Sequence, residues 1–99
     1  MKSAYIADMR RRALCQYFER KRLILRSLRD NVRLSPLFRL YALKSLRTLP
    51  RDASITRVRN RCVLTSRSRS IYRSFGISRL MFRKLALQSQ LIGVTRASW

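Results

Sequence analysis

The stretch from Arg57 to Trp99 reads RVRNRCVLTSRSRSIYRSFGISRLMFRKLALQSQLIGVTRASW. It holds ten Arg or Lys residues and no Asp or Glu. Tyr72, Phe75, Phe82 and Trp99 interleave with the basic side chains. A segment without internal counter-charge needs a polyanion to neutralise it, and its flat side chains suit bases and sugars. The chain before Arg57 reads as a helical attachment to this segment.

The whole chain repeats the imbalance. Lys and Arg number 24 against four acids (Asp8, Glu19, Asp30 and Asp52), a formal charge of +20 on 99 residues. A free compact globule with that charge repels itself. Yet 46% of the residues are apolar, too many for a simple disordered tail. The two facts together describe a chain that folds against a large polyanion and packs on protein neighbours. Arg greatly outnumbers Lys. The guanidinium fork binds phosphate bidentately and stacks on bases, so the bias favours structured nucleic acid over diffuse charge neutralisation.

Working back from Arg57, Leu49-Pro50-Arg51-Asp52-Ala53-Ser54 breaks a helix. That helix starts at Ser35-Pro36, with Ser35 as cap and Pro36 preset for the first helical position. Leu37, Leu40, Tyr41, Leu43 and Leu46 give it an apolar face through about Arg47. A longer helix precedes it, from Tyr5 to about Leu28. Its expected inward stripe is Ile6, Met9, Ala13, Tyr17, Ile24 and Leu28, and Asp30-Asn31 ends it. The short connection folds the two helices into a hairpin. Asp8 and Glu19 argue against an organelle presequence, which avoids acids, so the segment reads as mature helix.

Working forward, Ser54 to Ser74 lacks periodicity and reads as an Arg- and Ser-rich loop ordered by a ligand. Gly76 marks a turn. Ser78 caps a helix from about Arg79 to Ser89, with Met81, Phe82, Leu85 and Ala86 inward and Arg79, Arg83 and Lys84 outward. The fold class is therefore mainly α, extended and irregular. It comprises an N-terminal helical hairpin, an Arg-rich loop and a short C-terminal helix.

Enzyme chemistry has no place to sit. There is no His, no acid after Asp52, and only two glycines, Gly76 and Gly93. Cys62 lies among Arg59, Arg61 and Arg67, which would lower its pKa, but it has no base partner. Cys15 and Cys62 make no disulfide scaffold, and no apolar run approaches a membrane span.

Four blocks make the chain recognisable: Leu49-Pro50-Arg51-Asp52-Ala53-Ser54, Arg59-Asn60-Arg61-Cys62, Ser74-Phe75-Gly76-Ile77-Ser78-Arg79 and Gly93-Val94-Thr95-Arg96-Ala97-Ser98-Trp99. In order and spacing they resemble the signature of the small-subunit ribosomal protein fourteen family. On that resemblance residues 49–99 are the rRNA-binding region and residues 1–48 a helical extension. The family has a zinc form with two CxxC pairs. The aligned positions here are Cys62, Thr65, Ser78 and Met81, so the resemblance is to the longer, zinc-free form, with the knuckle as a metal-free remnant. Where the family has Thr-Gly-Arg-Pro-Arg-Gly, this chain has Thr65-Ser66-Arg67-Ser68-Arg69-Ser70. Ser tolerates positive φ poorly, so the resemblance does not fix the exact loop conformation. The Pro that usually precedes Gly93 is Ile92.

The resemblance implies a structural constituent of the small subunit's head, not an enzyme, with no metal or other cofactor. Its implied partners are the 3′ major domain of the small-subunit rRNA and neighbouring proteins three, ten and nineteen, with no homo-oligomer and no membrane. Arg57, Arg59, Arg61, Arg67, Arg69, Arg73, Arg79, Arg83 and Arg96 are the candidates for phosphate contact. Tyr72 and Trp99 are candidates for stacking, and Phe75 for packing. The drift from the family pattern points to an organelle, the mitochondrion before the plastid, and the lack of a clear presequence to an organelle-encoded gene. Two other classes compete: a non-specific RNA chaperone or nucleocapsid-like protein, and a membrane-active basic helix.

Overall fold

The computed structural model describes residues 2–99. It is mainly helical: α1 (Lys2–Asp30), α2 (Pro36–Arg47), two single 3-10 turns (Arg51–Ala53 and Ile55–Arg57), a two-residue strand β1 (Ile71–Tyr72), its antiparallel partner β2 (Ile77–Ser78), and α3 (Arg79–Leu87). The chain packs as two units, Asp8–Val58 and Arg59–Trp99, the latter with the first residues of α1. This division by packing differs in kind from the division by sequence signature at Leu49.

In the unit Asp8–Val58, α1 runs without Gly or Pro through good helix formers. It closes where Asn31 N–H donates to the Ser27 carbonyl at 3.1 Å and the Asn31 side chain accepts from Arg33 N–H at 3.0 Å. That Asx turn offers the backbone an alternative to further helix. Ser35 stands at the N-cap in extended conformation (φ −62°, ψ 150°) with Pro36 behind it, but its hydroxyl makes no capping bond. The start of α2 is therefore set by proline's fixed φ and not by the expected side-chain cap. Arg39 Nε donates to the Arg29 carbonyl at 3.0 Å, satisfying an open carbonyl at the end of α1.

The inward face of α1 is not the expected one. Ile6, Met9, Ala13, Tyr17, Ile24 and Leu28 are all exposed. The covered stripe is Leu14, Cys15, Phe18, Arg22, Leu25 and Arg29, of which Leu25 is buried. The reason lies in what covers it. The Cys15 thiol donates to the Ala53 carbonyl at 3.1 Å, with Ala53 itself buried in the first 3-10 turn. Asp52 Oδ1 accepts from Arg11 Nε at 3.3 Å and from Arg57 Nη1 at 2.5 Å. The break after α2 thus returns to α1 and selects its face.

In the unit Arg59–Trp99, the end of the expected loop forms the first strand of a hairpin, and the second strand follows the expected turn at Gly76. Ile71 pairs with Ser78 and Tyr72 with Ile77. Gly76 turns it at φ +66°, its N–H donating to the Tyr72 carbonyl at 2.8 Å. α3 then follows directly on β2, as the cap at Ser78 predicts: the Ser78 hydroxyl accepts from Met81 N–H at 3.4 Å. Arg79, Arg83 and Lys84 face out while Met81, Phe82, Leu85 and Ala86 are partly covered, as expected.

Ser66 and Ser70 adopt φ +59° and +53°. These are the two positions where the family pattern has Gly, so both serines hold a backbone that glycine adopts without strain. The strain of a left-handed non-glycine residue is about 1–2 kcal/mol, partly offset because Ser restricts the unfolded chain more than Gly. Ser70→Gly should therefore stabilise the hairpin by about 0.5–1 kcal/mol. Amide hydrogen exchange over Ile71–Arg79 should slow a few-fold, whereas Ser70→Val should speed it.

Candidate nucleic-acid interface

The interface is built on the turn that follows Arg61. Cys62 N–H donates to the Arg67 carbonyl at 2.9 Å, and Ser66 N–H to the Cys62 carbonyl at 2.8 Å. Val63 N–H donates to the Gly76 carbonyl at 3.1 Å, tying the turn to the hairpin. Arg79 N–H donates to the Ser70 carbonyl at 3.0 Å, tying the hairpin's other side to the start of α3. Arg61 Nη1 donates to the Ser66 carbonyl at 3.1 Å and clamps the turn from outside.

Cys62 sits at the centre with no exposed surface. Burial pushes its thiol pKa up. Hydrogen bonds from the Thr65 hydroxyl and from the backbone N–H groups of Thr65, Ser78 and Leu64 pull it down further, to about 7. The lowering expected from Arg59, Arg61 and Arg67 thus has a different leading cause: amide and hydroxyl donors that favour the thiolate. The Thr65 hydroxyl is buried and faces this thiol.

Residues 62, 65 and 78 therefore converge, with Met81 one turn into α3. Zinc does not fit them. A structural site needs four thiolate or imidazole ligands, and here one thiol stands with two hydroxyls and a thioether. Among the described residues, no three His, Cys, Asp or Glu come together as a metal site. The turn is instead closed by backbone bonds from Cys62, Val63 and Ser66.

Beside this knuckle a solvent-open cleft of about 370 Å³ gathers Arg67, Arg79 and Arg83 with Tyr72, Leu80 and Phe82. Arg79 and Arg83 are one helical turn apart and share a face of α3. Tyr72 meets Phe82 edge-on at 5.1 Å between ring centres, and Phe75 meets the same ring at 4.8 Å. Phe75 thus touches Phe82 while staying 48% exposed. Tyr72 packs at its edge and stays 42% exposed. No Asp or Glu occurs in this unit, so none of its own side chains gives the three guanidinium groups a carboxylate.

The other candidates are placed differently. Arg83 and Arg96 line a second hollow of about 250 Å³ with Phe82 and Val94. Arg59, Arg69 and Arg73 are exposed outside both hollows. Arg57 is engaged by Asp52, and Arg61 holds the turn, so both serve the fold directly. Trp99 is fully exposed. Sequence reasoning missed Leu80 and Phe82 as lining residues. The signal was present in Phe82, one turn after Ser78 on the covered face of α3.

Residues 45–98 match the family described as "Ribosomal protein S14p/S29e". The chain belongs to the small-subunit ribosomal protein fourteen family. It is 62% identical over 56 residues to the small ribosomal subunit protein uS14 of Chlorobium phaeovibrioides, covering 57% of this chain and 63% of that one. Against uS14 of Wolbachia pipientis wMel it is 42% identical over 99 residues, covering 99% of this chain and 97% of the relative. Against uS14m of Marchantia polymorpha it is 40% identical over 99 residues, the whole of both chains. The similarity to these two includes α1 and α2, beyond the blocks that carry the resemblance. Members of the family are structural, non-catalytic parts of the ribosome, and the expectation that this chain is not an enzyme accords with membership.

The knuckle gives a measurable titration. Because the folded Cys62 pKa lies below the ordinary thiol value, folding favours the thiolate. The stabilisation is complete above the unfolded pKa and is lost as pH falls through about 7. In a Cys15→Ser background, ultraviolet thiolate absorbance should rise with a midpoint near 7. Thr65→Val should move that midpoint up.

Proposed function

We propose that this chain is a structural constituent of the small ribosomal subunit, binding and compacting small-subunit rRNA in the head. The observation that carries the reading is the grouping of Arg67, Arg79 and Arg83 with Tyr72 on a hydrogen-bonded knuckle that lacks any carboxylate side chain. Guanidinium groups fixed in this way neutralise packed phosphates and let rRNA helices approach one another. Arg59, Arg69, Arg73 and Arg96 extend the same basic surface. Arg57 and Arg61 contribute by holding the frame, and Trp99 offers a ring for stacking.

The family resemblance adds the 3′ major domain of the rRNA as the binding region and proteins three, ten and nineteen as neighbours. The many exposed apolar side chains of α1 and α2, among them Tyr17, Leu37, Phe38 and Tyr41, accord with protein neighbours. We place it in an organellar ribosome, the mitochondrial before the plastid; the full-length similarity to the Marchantia protein is in keeping with this, and the similarity to the Wolbachia protein is as extensive. Among the described residues no helix is long and apolar enough to cross a membrane.

Binding to a fragment of the 3′ major domain should weaken with salt along a log–log line whose slope counts phosphate contacts. The double variant Arg79→Gln with Arg83→Gln should make that slope shallower by about 2. Trp99→Ala separates the specific reading from a general RNA chaperone. Assembly into subunits should fall if the chain has one place on the rRNA, and should be unchanged if any RNA suffices.

A further inference from the structure

The cleft beside the knuckle is small, concave and mixed in chemistry. Its volume of about 370 Å³ lies within the ~300–1,000 Å³ range of small-ligand sites. It combines three guanidinium-bearing residues with the rings of Tyr72 and Phe82. A paired RNA helix offers such a cleft only backbone. Its bases are stacked away and its deep major groove is closed to side chains, so an aromatic ring in the cleft would meet nothing flat. An unpaired nucleotide offers both a phosphate and a free base face.

The frame also fixes the parts in advance. Tyr72 is held by its pairing with Ile77 and by the edge of Phe82, yet remains partly exposed. Arg79 and Arg83 sit one turn apart, with the Arg79 backbone anchored on Ser70. Arg67 issues from the turn closed around Cys62. Trp99, by contrast, is fully exposed and sits in no such frame.

We infer that this cleft takes a single unpaired nucleotide of the RNA, its phosphate against Arg67, Arg79 and Arg83 and its base against Tyr72. The inference rests on the RNA-binding reading above and makes it specific: the knuckle reads an extruded nucleotide and not only a density of phosphates.

The test uses the full chain and three short RNA hairpins. One is fully paired, one carries a single bulged adenosine, and one carries an abasic bulge at the same place. The bulged hairpin should bind about tenfold more tightly than the paired one, as one base–aromatic stack allows. The abasic bulge should lose that preference. Tyr72→Leu should bring the bulged hairpin down to the affinity of the paired one, and Tyr72→Phe should keep the preference. Equal binding of wild type to all three hairpins overturns the inference. So does a Tyr72→Leu variant that keeps the full preference for the bulged hairpin, because the ring then does not carry it. Neither result touches the ribosomal reading, which fails only if the wild-type chain does not enter small subunits.

Discussion

The closure of the Cys62–Arg67 turn onto the hairpin of β1 and β2 is the arrangement on which the rest of the C-terminal unit depends. It is made of backbone bonds to Arg67, Gly76 and Ser70 and of hydrogen bonds to one buried sulfur. Without it Arg67 is not held beside Arg79 and Arg83, and Tyr72 does not stand over Phe82. In a metal-bound knuckle four bonds to one ion would do this. Here a thiol takes amide and hydroxyl donors into the same centre. Ser66 and Ser70 hold left-handed backbone where glycine would sit without strain, so the closure overrides an unfavourable local preference at two positions.

A second constraint shapes the whole chain. The unit Arg59–Trp99 has no carboxylate side chain, and its largest fully buried side chains are Cys62 and Ser78. So small a core supplies little hydrophobic stabilisation against like-charge repulsion. The other unit is balanced better: Asp8 pairs with Arg12, and Asp52 with Arg11 and Arg57. Acids are thus confined to the helical half, where they organise α1 and the turn after α2. After Asp52 the sequence holds no further acid to face its arginines. The division between scaffold and binding surface is written in where the acids stop.

Much of this was legible from residues. The ends of α2 followed from Pro36 and from Leu49-Pro50, and the start of α3 from Ser78. The covered face of α1 was not legible, because that helix carries apolar and basic residues on every side. Its face is decided by Cys15 meeting Ala53, a contact 38 residues apart. Arg22 and Arg29 on that face show how long aliphatic stems cover surface that a hydropathy pattern assigns to polar residues. The hairpin escaped because two-residue strands are too short to show alternation. At the site, the basic and aromatic residues could be named from sequence, but not their division of labour. Nothing local distinguishes Arg61, which clamps the Ser66 carbonyl, from Arg67, which lines the cleft.

The account makes this chain a permanent part of a small ribosomal subunit. The most direct test is sedimentation of the tagged chain from lysate of cells that express it, after a high-salt wash. The account predicts that it remains with the small subunit, because hydrogen bonds, stacking and packing outlast the screening of phosphate charge. A chain that sediments with the subunit in low salt but spreads to the top of the gradient in high salt would contradict it, since general attraction to a polyanion would then suffice.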